Sequence, residues 1–264
     1  MAEILVPRPA ATVITLRERP NGYEILMLRR NLKSDFGGGA YVFPGGGVDQ
    51  SDAGQAAKRL AVGITDGQAS QRLGLERGGL GYYVACLREL FEEAGLLVAC
   101  DAQGREVVLD DPTRFERLAR YRRAVNDREL GFVEMMQRED LYLDLRELEY
   151  VAHWVTPIGP PRRFDTRFFV ALAPDGQVAT HDKGETVADQ WLRPVDALAA
   201  FRRGELEMIF PTIRNLESIA GFDSAREVIE FARSLTDVEC VRPRMIEREG
   251  SVVILLPGDA GYDD

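Results

Sequence analysis

The chain has 264 residues, of which 45% are hydrophobic and 29% are charged, a composition typical of a globular protein with a sizeable core. Its formal net charge of −10 argues against a nucleic-acid-binding surface, because contacts with phosphate backbones need stripes of lysine and arginine. No apolar run is long enough to span a membrane, and Met1–Pro9 lacks the pattern of an export signal. We therefore expect a cytoplasmic protein that binds neither nucleic acid nor membranes.

Two strands joined by a tight turn open the predicted fold. Residues 11–17 and 23–29 alternate or run apolar, and Pro20, Asn21 and Gly22 between them are typical of a hairpin turn. The chain is therefore expected to begin with an antiparallel pair of strands.

A short strand and a glycine run follow the hairpin. Residues 41–43 predict a strand that continues through Pro44 into three glycines at 45–47, where the backbone can approach a ligand or metal closely. The next segment, 53–80, is rich in glycine, alanine and glutamine. This composition favours a surface excursion with a short helix near Ala56–Leu60.

The most informative segment is an acidic helix. At about 100° per residue, Glu89, Glu92 and Glu93 share one face, because positions three and four apart are neighbours. Like charges at this spacing destabilise a helix by roughly 0.2–0.5 kcal/mol per pair, so the cluster favours a bound cation over a solvated acidic face. Carboxylate oxygens prefer Mg²⁺, Mn²⁺ or Ca²⁺ to zinc. Gly95 predicts the end of this helix, and the apolar residues 96–98 predict a strand after it.

Residues 107–109 predict a further strand, and two helices come after it. Asp111 and Pro112 are typical of a helix start. Apolar side chains at spacings of three and four predict that each helix faces the core, although the two helices could also form a wall over the site. These side chains are Phe115, Leu118, Tyr121 and Val125 in the first helix and Phe132, Met135 and Met136 in the second.

Positive charge is concentrated in one segment of this acidic chain. Residues 150–157 and 162–172 predict two strands joined by a proline-rich turn, and Arg162, Arg163 and Arg167 lie at the start of the second. Arginine can bind two phosphate oxygens at once, which makes the three residues candidate phosphate ligands. Salt bridges to nearby carboxylates are an equal alternative.

The rest of the chain predicts three helices and one strand. The helices are expected at 194–201, 210–219 and 224–235. Residues 251–256 predict an apolar strand, which either the core or a second copy of the chain must cover. A homodimer is therefore one of the expected assemblies.

Cysteine and histidine are too few for most metal and nucleophile chemistry. Cys86, Cys100 and Cys240 have no C-x-x-C spacing, and their odd number predicts reduced thiols. His153 and His181 give little material for a zinc site or a serine–histidine pair. We interpret both histidines as ordinary surface or loop residues.

The glycine run and the acidic helix together resemble the signature of the Nudix hydrolase family, G-x5-E-x7-R-E-U-x-E-E-x-G-U, where U is a bulky aliphatic residue. The second half is matched at every fixed position, by Arg88, Glu89, Leu90, Glu92, Glu93, Gly95 and Leu96. In the first half, Gly46 matches the glycine, Asp52 replaces the first glutamate, and 35 residues instead of seven separate Asp52 from Arg88. An alignment from Gly74 keeps the spacing but puts Leu80 at the glutamate position, so we favour an insertion.

The resemblance implies an α/β fold, the Nudix α/β/α sandwich with a mixed sheet, helical insertions and a C-terminal helical extension. We expect one domain that covers residues 1–264. Its core would occupy about 10–200, with insertions at 53–80 and 111–141. The C-terminal helices and strand would occupy 201–259.

One branch of the family, related to the coenzyme A and acyl-coenzyme A diphosphatases, resembles the chain beyond the signature. The long insertion, the segment 154–157 and the segment 163–169 carry this likeness. It implies hydrolysis of a pyrophosphate bond in a nucleoside diphosphate linked to another moiety, with coenzyme A or acyl-coenzyme A as the substrate. Three alternatives stay open: an ADP-ribose or NADH pyrophosphatase, a nucleotide-derivative sensor that does not cleave, and messenger-RNA decapping, which the charge balance disfavours.

The resemblance also implies roles for the signature residues. Glu89, Glu92 and Glu93 would hold Mg²⁺ or Mn²⁺, with the backbone carbonyl of Gly46 as a further ligand. Arg88 would orient a glutamate by reaching Glu92, four residues along the helix.

A further carboxylate is expected from the loop ahead of Trp191, because family members often supply one from there. Glu185 matches this position best, and Asp182 and Asp189 are weaker candidates. Either a helix glutamate or Glu185 would take the proton from the attacking water.

Overall fold

The structure is a computed structural model that describes residues 5–33, 37–109, 111–248 and 250–262. Within these ranges the strands are β1 (Arg8–Arg19), β2 (Gly22–Arg30), β3 (Tyr41–Val42), β4 (Gly45–Gly47), β5 (Ala61–Val62), β6 (Ala99–Cys100), β7 (Tyr142–Asp144), β8 (Glu149–Val155), β9 (Phe164–Leu172), β10 (Thr186–Leu192), β11 (Cys240–Val241), β12 (Arg244–Arg248) and β13 (Ser251–Leu255). The helices are α1 (Gln55–Leu60), α2 (Asp66–Arg72), α3 (Leu80–Ala94), α4 (Pro112–Asn126), α5 (Phe132–Arg138), α6 (Pro194–Arg202), α7 (Phe210–Ile219) and α8 (Ala225–Ser234).

A mixed sheet forms the centre of the molecule. Its strands run in the order β10-β2-β1-β9-β8-β11, with β3 paired to β2 and β4 paired to β1. The predicted hairpin is confirmed, since β1 and β2 pair antiparallel, whereas β1 and β9 pair parallel. The parallel pair needs a long connection, and the chain between β1 and β9 contains the glycine run, the acidic helix and both insertions. The topology therefore gathers these segments on the central strands.

Helices cover both faces of this sheet. Ala11 and Val13 of β1 pack into the core under α3 and the insertion helices, whereas Ile14 and Leu16 pack into a second core under α6, α7 and α8. Successive side chains of a strand point to opposite faces, so a strand buried on both faces is apolar throughout. The predicted α/β/α sandwich is confirmed.

The first insertion is more buried than its composition suggests. The predicted helix near Ala56–Leu60 is confirmed as α1, but α2 was not predicted, and Ala69 within it is fully buried. The guanidinium of Arg72 donates to the Ala232 carbonyl at 2.9 Å and to the Leu235 carbonyl, at the end of α8. The prediction of a surface excursion is therefore wrong in part. The insertion packs on α3, and its Arg72 is hydrogen-bonded to the end of α8.

Two predicted strands are wrong. Residues 96–98 are not a strand, because the Gln177 amide donates to the Leu97 carbonyl at 3.0 Å and accepts from the Leu97 N–H at 2.9 Å. The strand begins later, as β6, and joins β5 and β7 in a small separate sheet. Residues 107–109 are also not a strand; beside them, Glu106 forms only an isolated bridge with Cys100.

The C-terminal strand is confirmed as β13, but its pairing was not predicted. It pairs with β12 in a two-stranded sheet apart from the central one. Leu255 is buried, whereas Val252 is 64% exposed and Ile254 is also exposed. The helices predicted at 194–201, 210–219 and 224–235 are confirmed as α6, α7 and α8.

The interpretation of His153 is wrong, whereas His181 does lie in a loop. His153 is on β8 with its side chain only 11% exposed, and its Nε2 lies 2.5 Å from Asp165 Oδ1. His153 lies between buried residues of β8, and no local sequence pattern predicts this position. Cys86, Cys100 and Cys240 are free thiols. Within the part of the chain that the structure describes, no helix is long and apolar enough to cross a membrane.

Candidate active site

The acidic helix α3 is buried along almost its whole length between the sheet and the insertion helices. It ends as predicted, with Gly95 in the left-handed conformation at φ 70°. A residue with a side chain is disfavoured there, so glycine stops the helix directly after the acidic residues. The acidic face, which we define as Glu89, Glu92 and Glu93, lies at this end.

Strand β4 brings the glycine run against the acidic face. Gly46 pairs with Ala11 of β1, and a Cβ atom built on Gly46 would lie 2.7 Å from Cδ of Glu89. The backbone N–H of Gly45 donates to Glu93 Oε2 at 3.1 Å. A side chain at position 46 would displace the Glu89 carboxylate, which occupies the space of a Cβ atom.

Arg88 is held in a buried network beside these carboxylates. Its guanidinium donates to Asp52 Oδ1 at 3.0 Å and Asp52 Oδ2 at 2.9 Å, and to the Gly47 carbonyl at 2.7 Å. It also donates to Glu89 Oε1 at 2.7 Å, whereas the nearest oxygen of Glu92 is 3.4 Å away. Arg88 therefore contacts Glu89 more closely than Glu92, which was the expected partner. Asp52 lies beside α3 although the first insertion separates the two in sequence.

The carboxylates of the acidic face are more numerous than the cations that face them. Burial raises the pKa of Glu89 to about 7, although the Arg88 charge opposes the shift. Burial also raises the pKa of Glu92, again against Arg88. The pKa of Glu93 is raised well above its usual range by burial and then by the charges of Glu89 and Glu185. A cation would lower the free energy of the ionised forms of all three groups.

These residues fit a hard divalent cation. Their donors are carboxylate oxygens, which suit Mg²⁺ and Mn²⁺, and Gly46 leaves no side chain between the backbone and Glu89. In the arrangement shown, no three His, Cys, Asp or Glu side chains of the described residues converge on one point. In this arrangement Glu89 is hydrogen-bonded to Arg88 and Glu93 to the Gly45 N–H.

Glu185 lies on the loop before β10, a strand that was not predicted. Its carboxylate accepts from Arg30 Nη2 at 2.8 Å, and the side chain is 53% exposed. Its charge contributes to the raised pKa values of Glu89 and Glu93, so the Glu185 carboxylate lies within electrostatic range of the acidic face. Arg30 was not singled out from the sequence, because it ends a strand with no local pattern to mark it.

The two weaker candidates in this loop already have hydrogen-bond partners. Asp182 accepts from the backbone N–H groups of Glu185 at 2.9 Å and Thr186 at 2.8 Å, which shapes the loop. Asp189 Oδ1 lies 2.6 Å from His181 Nδ1. Of the three carboxylates, Glu185 is therefore the one bonded only to an arginine side chain at the site.

The arginine segment, residues 162–167, lies at the same end of the sheet as β4. Arg163 donates to the backbone carbonyls of Thr156 at 3.0 Å and Leu5 at 2.7 Å. Arg162 is exposed in the turn before β9. The phosphate contacts of the three arginines stay a prediction. The hydrogen bonds of Arg163 stabilise the turn before β9.

Arg167 is the most buried member of the arginine segment, with its side chain 5% exposed. Its guanidinium lies 4.4 Å from the ring centre of Tyr82 in α3 and donates to Asp165 Oδ1 at 3.0 Å. It lies two strands from Gly46, because Ala11 pairs with both residues. This position favours the salt-bridge alternative for Arg167 over direct contact with a phosphate.

The mixed sheet between two helical layers, with an acidic helix end packed on a glycine strand, defines the Nudix class of hydrolases. The family profile described as NUDT19 Nudix domain matches residues 77–219, and the chain belongs to this family.

Proteins similar to this chain extend the match beyond the profile. The acyl-coenzyme A diphosphatase NUDT19 of Gallus gallus is 28% identical over 280 residues, which cover 93% of this chain and 74% of the relative. The Homo sapiens protein of that name is 27% identical over 290 residues, which cover 97% and 76%. A crystal structure of a NUDIX hydrolase from Alicyclobacillus acidocaldarius is 28% identical with a TM-score of 0.68, and covers 86% of this chain and 97% of its own.

Proposed function

We propose that this chain hydrolyses the pyrophosphate bond of coenzyme A or an acyl-coenzyme A in a reaction that depends on Mg²⁺ or Mn²⁺. The products would be 3′,5′-ADP and a phosphopantetheine compound. The observation that carries the proposal is the surplus of buried carboxylate beside Gly46. The substrate class rests on relatives named acyl-coenzyme A diphosphatase, which align over 93% of the chain in one case and 97% in another.

The acidic face would hold the cation, with the carbonyl of Gly46 as a further ligand. A bound Mg²⁺ supplies charge neutralisation at the pyrophosphate, where negative charge spreads over the phosphoryl oxygens during transfer. Arg88 would fix the direction of the Glu89 carboxylate, since it donates to Glu89 and is itself held by Asp52. Asp52, at the position of the first glutamate of the signature, would thus hold Arg88 in place.

The attacking water must lose a proton as its oxygen bonds to phosphorus. Glu185 is the best supported acceptor, because its exposed carboxylate faces the acidic face and its neighbours Asp182 and Asp189 are bonded elsewhere. A glutamate of α3 is the alternative acceptor. The same hydrolysis results in either case, with one phosphate monoester formed on each side of the cleaved bond.

Recognition of the 3′-phosphate is proposed for the arginine segment. Arg162 is the first candidate because it is exposed, ahead of Arg163, which holds the turn, and Arg167, which is buried. A guanidinium beside a phosphate would make a charge-assisted pair of hydrogen bonds.

We propose that residues 1–264 act as one domain, since Arg72 of the first insertion bonds the end of the last helix. Free cysteines support a reducing compartment such as the cytoplasm. A homodimer through the exposed residues of β13 is the proposed assembly, because Val252 and Ile254 are apolar and exposed.

A substrate panel tests the activity. Coenzyme A, acyl-coenzyme A, ADP-ribose, NADH, sugar nucleotides and nucleotides are incubated with the protein and Mg²⁺, and a phosphatase then releases phosphate for a colorimetric reading. The phosphatase alone removes the 3′-phosphate of coenzyme A, so the phosphate released from each compound without the protein is subtracted first. Additional release from coenzyme A and its acyl esters above that from the other compounds supports the proposal. Release only from ADP-ribose or NADH indicates the alternative pyrophosphatase, and binding without release indicates a sensor.

A further inference from the structure

One side chain of the second insertion reaches the end of the acidic helix. Arg122 lies in α4, and its Nε donates to the backbone carbonyl of Glu92 at 2.9 Å. Its Nη1 donates to Thr180 Oγ1 at 3.1 Å, and its Nη2 donates to the Thr180 carbonyl at 2.8 Å. A single guanidinium therefore joins three parts of the molecule.

The contact with Glu92 falls in the last turn of α3. The final four carbonyls of a helix have no partner within the helix, and cations are favoured at this negative end of the helix dipole. Here Glu92 O accepts from Arg122 and from Asn126 Nδ2 at 3.2 Å, and Ala94 O accepts from the Thr180 N–H at 2.8 Å. The turn that carries Glu92 and Glu93 is thus fixed from outside the helix.

The contacts with Thr180 reach the loop that carries Glu185. Thr180 is two residues before Asp182, whose carboxylate accepts from the backbone N–H of Glu185. The chain from Thr180 to Glu185 is therefore held at its start by Arg122 and at its turn by Asp182. Arg122 joins this loop to the backbone carbonyl of Glu92, beside the Thr180 N–H bond to the Ala94 carbonyl.

Arg122 is a charged residue on the apolar face of its own helix. It lies four residues after Leu118 and three before Val125, on the face of α4 that packs against the core, where both neighbours are buried. An arginine on an apolar face loses hydration, and that loss must be offset by hydrogen bonds such as those it makes to Glu92 and Thr180.

We propose that Arg122 is a positioning residue of the active site, which fixes the acidic face relative to Glu185. The second insertion is then a support for the site rather than a lid over it. The inference rests on the proposed function, because it assigns Arg122 to act through the residues that hold the cation and accept the proton. Partners outside the ligand shell typically change metal affinity or activity by about 10- to 100-fold when they are removed.

The test compares Arg122→Ala with Arg122→Lys, and with Arg123→Ala as the control. Arg123 is the next residue of the same helix and is exposed. Denaturant unfolding first identifies conditions in which each variant is folded. Calorimetric titration of the substrate-free protein with MnCl₂ then gives metal affinity, and hydrogen exchange reports on residues 180–186.

We expect Arg122→Ala to weaken Mn²⁺ binding by about 10-fold, to lower kcat by a similar factor with KM little changed, and to speed exchange in 180–186. Arg122→Lys should recover part of each loss, because it keeps the charge at the helix end. Arg123→Ala should match the unmodified protein. If Arg122→Ala does not fold, Arg122→Gln carries the same test with the same expected directions.

Unchanged Mn²⁺ affinity and kcat in a folded Arg122→Ala protein would overturn the inference, even if its stability falls. Weaker Mn²⁺ binding in Arg122→Ala, together with an unmodified protein that cleaves nothing on the substrate panel, would support the positioning role and refute the proposed activity. The two failures are therefore distinguishable.

Discussion

The acidic face of α3 and the arginine segment are both charge clusters at one end of the sheet, but their charges are balanced differently. On the acidic face, burial raises the pKa of Glu89, Glu92 and Glu93, and Arg88 donates to Glu89 and Glu92 but not to Glu93. In the arginine segment the pKa of Asp165 is lowered: burial opposes the change, but the hydrogen bond with His153 and the charge of Arg167 prevail.

The two clusters therefore differ in their need for a ligand of opposite charge. The arginine segment already contains an anion and backbone carbonyls that bind Arg163 and Arg167, so much of its charge is used within the protein. The acidic face lacks enough cations of its own. Such a group of buried carboxylates is unfavourable in its ionised form, and a divalent cation held by their oxygen atoms would offset the repulsion.

The largest expected effect comes from removing one charge of the acidic face. Glu93→Gln keeps an oxygen for the Gly45 N–H but removes a buried negative charge. We expect kcat to fall by about 100- to 1,000-fold, as for other groups that stabilise transition-state charge, while the metal-free protein becomes no less stable. Steady-state kinetics and denaturant unfolding measure the two quantities. Normal turnover that still requires Mg²⁺ would rule out this use of Glu93.

A somewhat smaller effect is expected from Glu185→Gln. If Glu185 accepts the proton, kcat should fall by about 100-fold and KM should change less, which is the pattern of a group that acts in the transition state. Asp189→Asn is the comparison variant, because Asp189 is bonded to His181. If instead Asp189→Asn lowers kcat by about 100-fold and Glu185→Gln leaves kcat unchanged, Asp189 is the proton acceptor.

The arginine segment offers a third, smaller effect. If Arg162 binds the 3′-phosphate, coenzyme A should be cleaved about 10-fold more efficiently than dephospho-coenzyme A, and Arg162→Ala should remove the preference. Comparison of kcat/KM for the two compounds measures it. Equal values in the unmodified protein would exclude a 3′-phosphate contact. A preference lost only in Arg163→Ala would transfer the contact to that residue.

The smallest effect concerns stability and pH. Burial raises the pKa of Glu89 from 4.5 to about 7, so the folded protein holds this proton more tightly than the unfolded chain. Its contribution to stability is complete below pH 4.5 and is lost as pH rises to about 7. Metal-free protein should therefore lose stability across this window, and Glu89→Gln should flatten the slope. Denaturant unfolding at several pH values would contradict this if both proteins gave the same slope.

Much of the site could be predicted because it is local in sequence. The shared face of Glu89, Glu92 and Glu93 follows from helix geometry, and Gly95 marks the helix end without help from the rest of the fold. Arg122 had a usable signal, since it interrupts the apolar face formed by Leu118 and Val125. The helical pattern alone gives Arg122 no role, because its partners Glu92 and Thr180 are distant in the sequence.

Other features depend on partners far along the chain. The Arg88 bond to Asp52 spans the first insertion, and the half-buried His153 contacts Asp165 of a neighbouring strand. The strand predicted directly after Gly95 begins only at Ala99, because Gln177 occupies the backbone groups of Leu97. No short window of sequence contains both partners of any of these contacts.

The most direct test of the central claim is the identification of the products formed from coenzyme A. The protein is incubated with coenzyme A and MgCl₂, with or without a chelator. The products are then separated by chromatography and identified by mass spectrometry. We expect 3′,5′-ADP and 4′-phosphopantetheine in equal amounts, their loss with the chelator, and their near absence with Glu93→Gln. Intact coenzyme A after incubation with folded, Mg²⁺-loaded protein would contradict the claim.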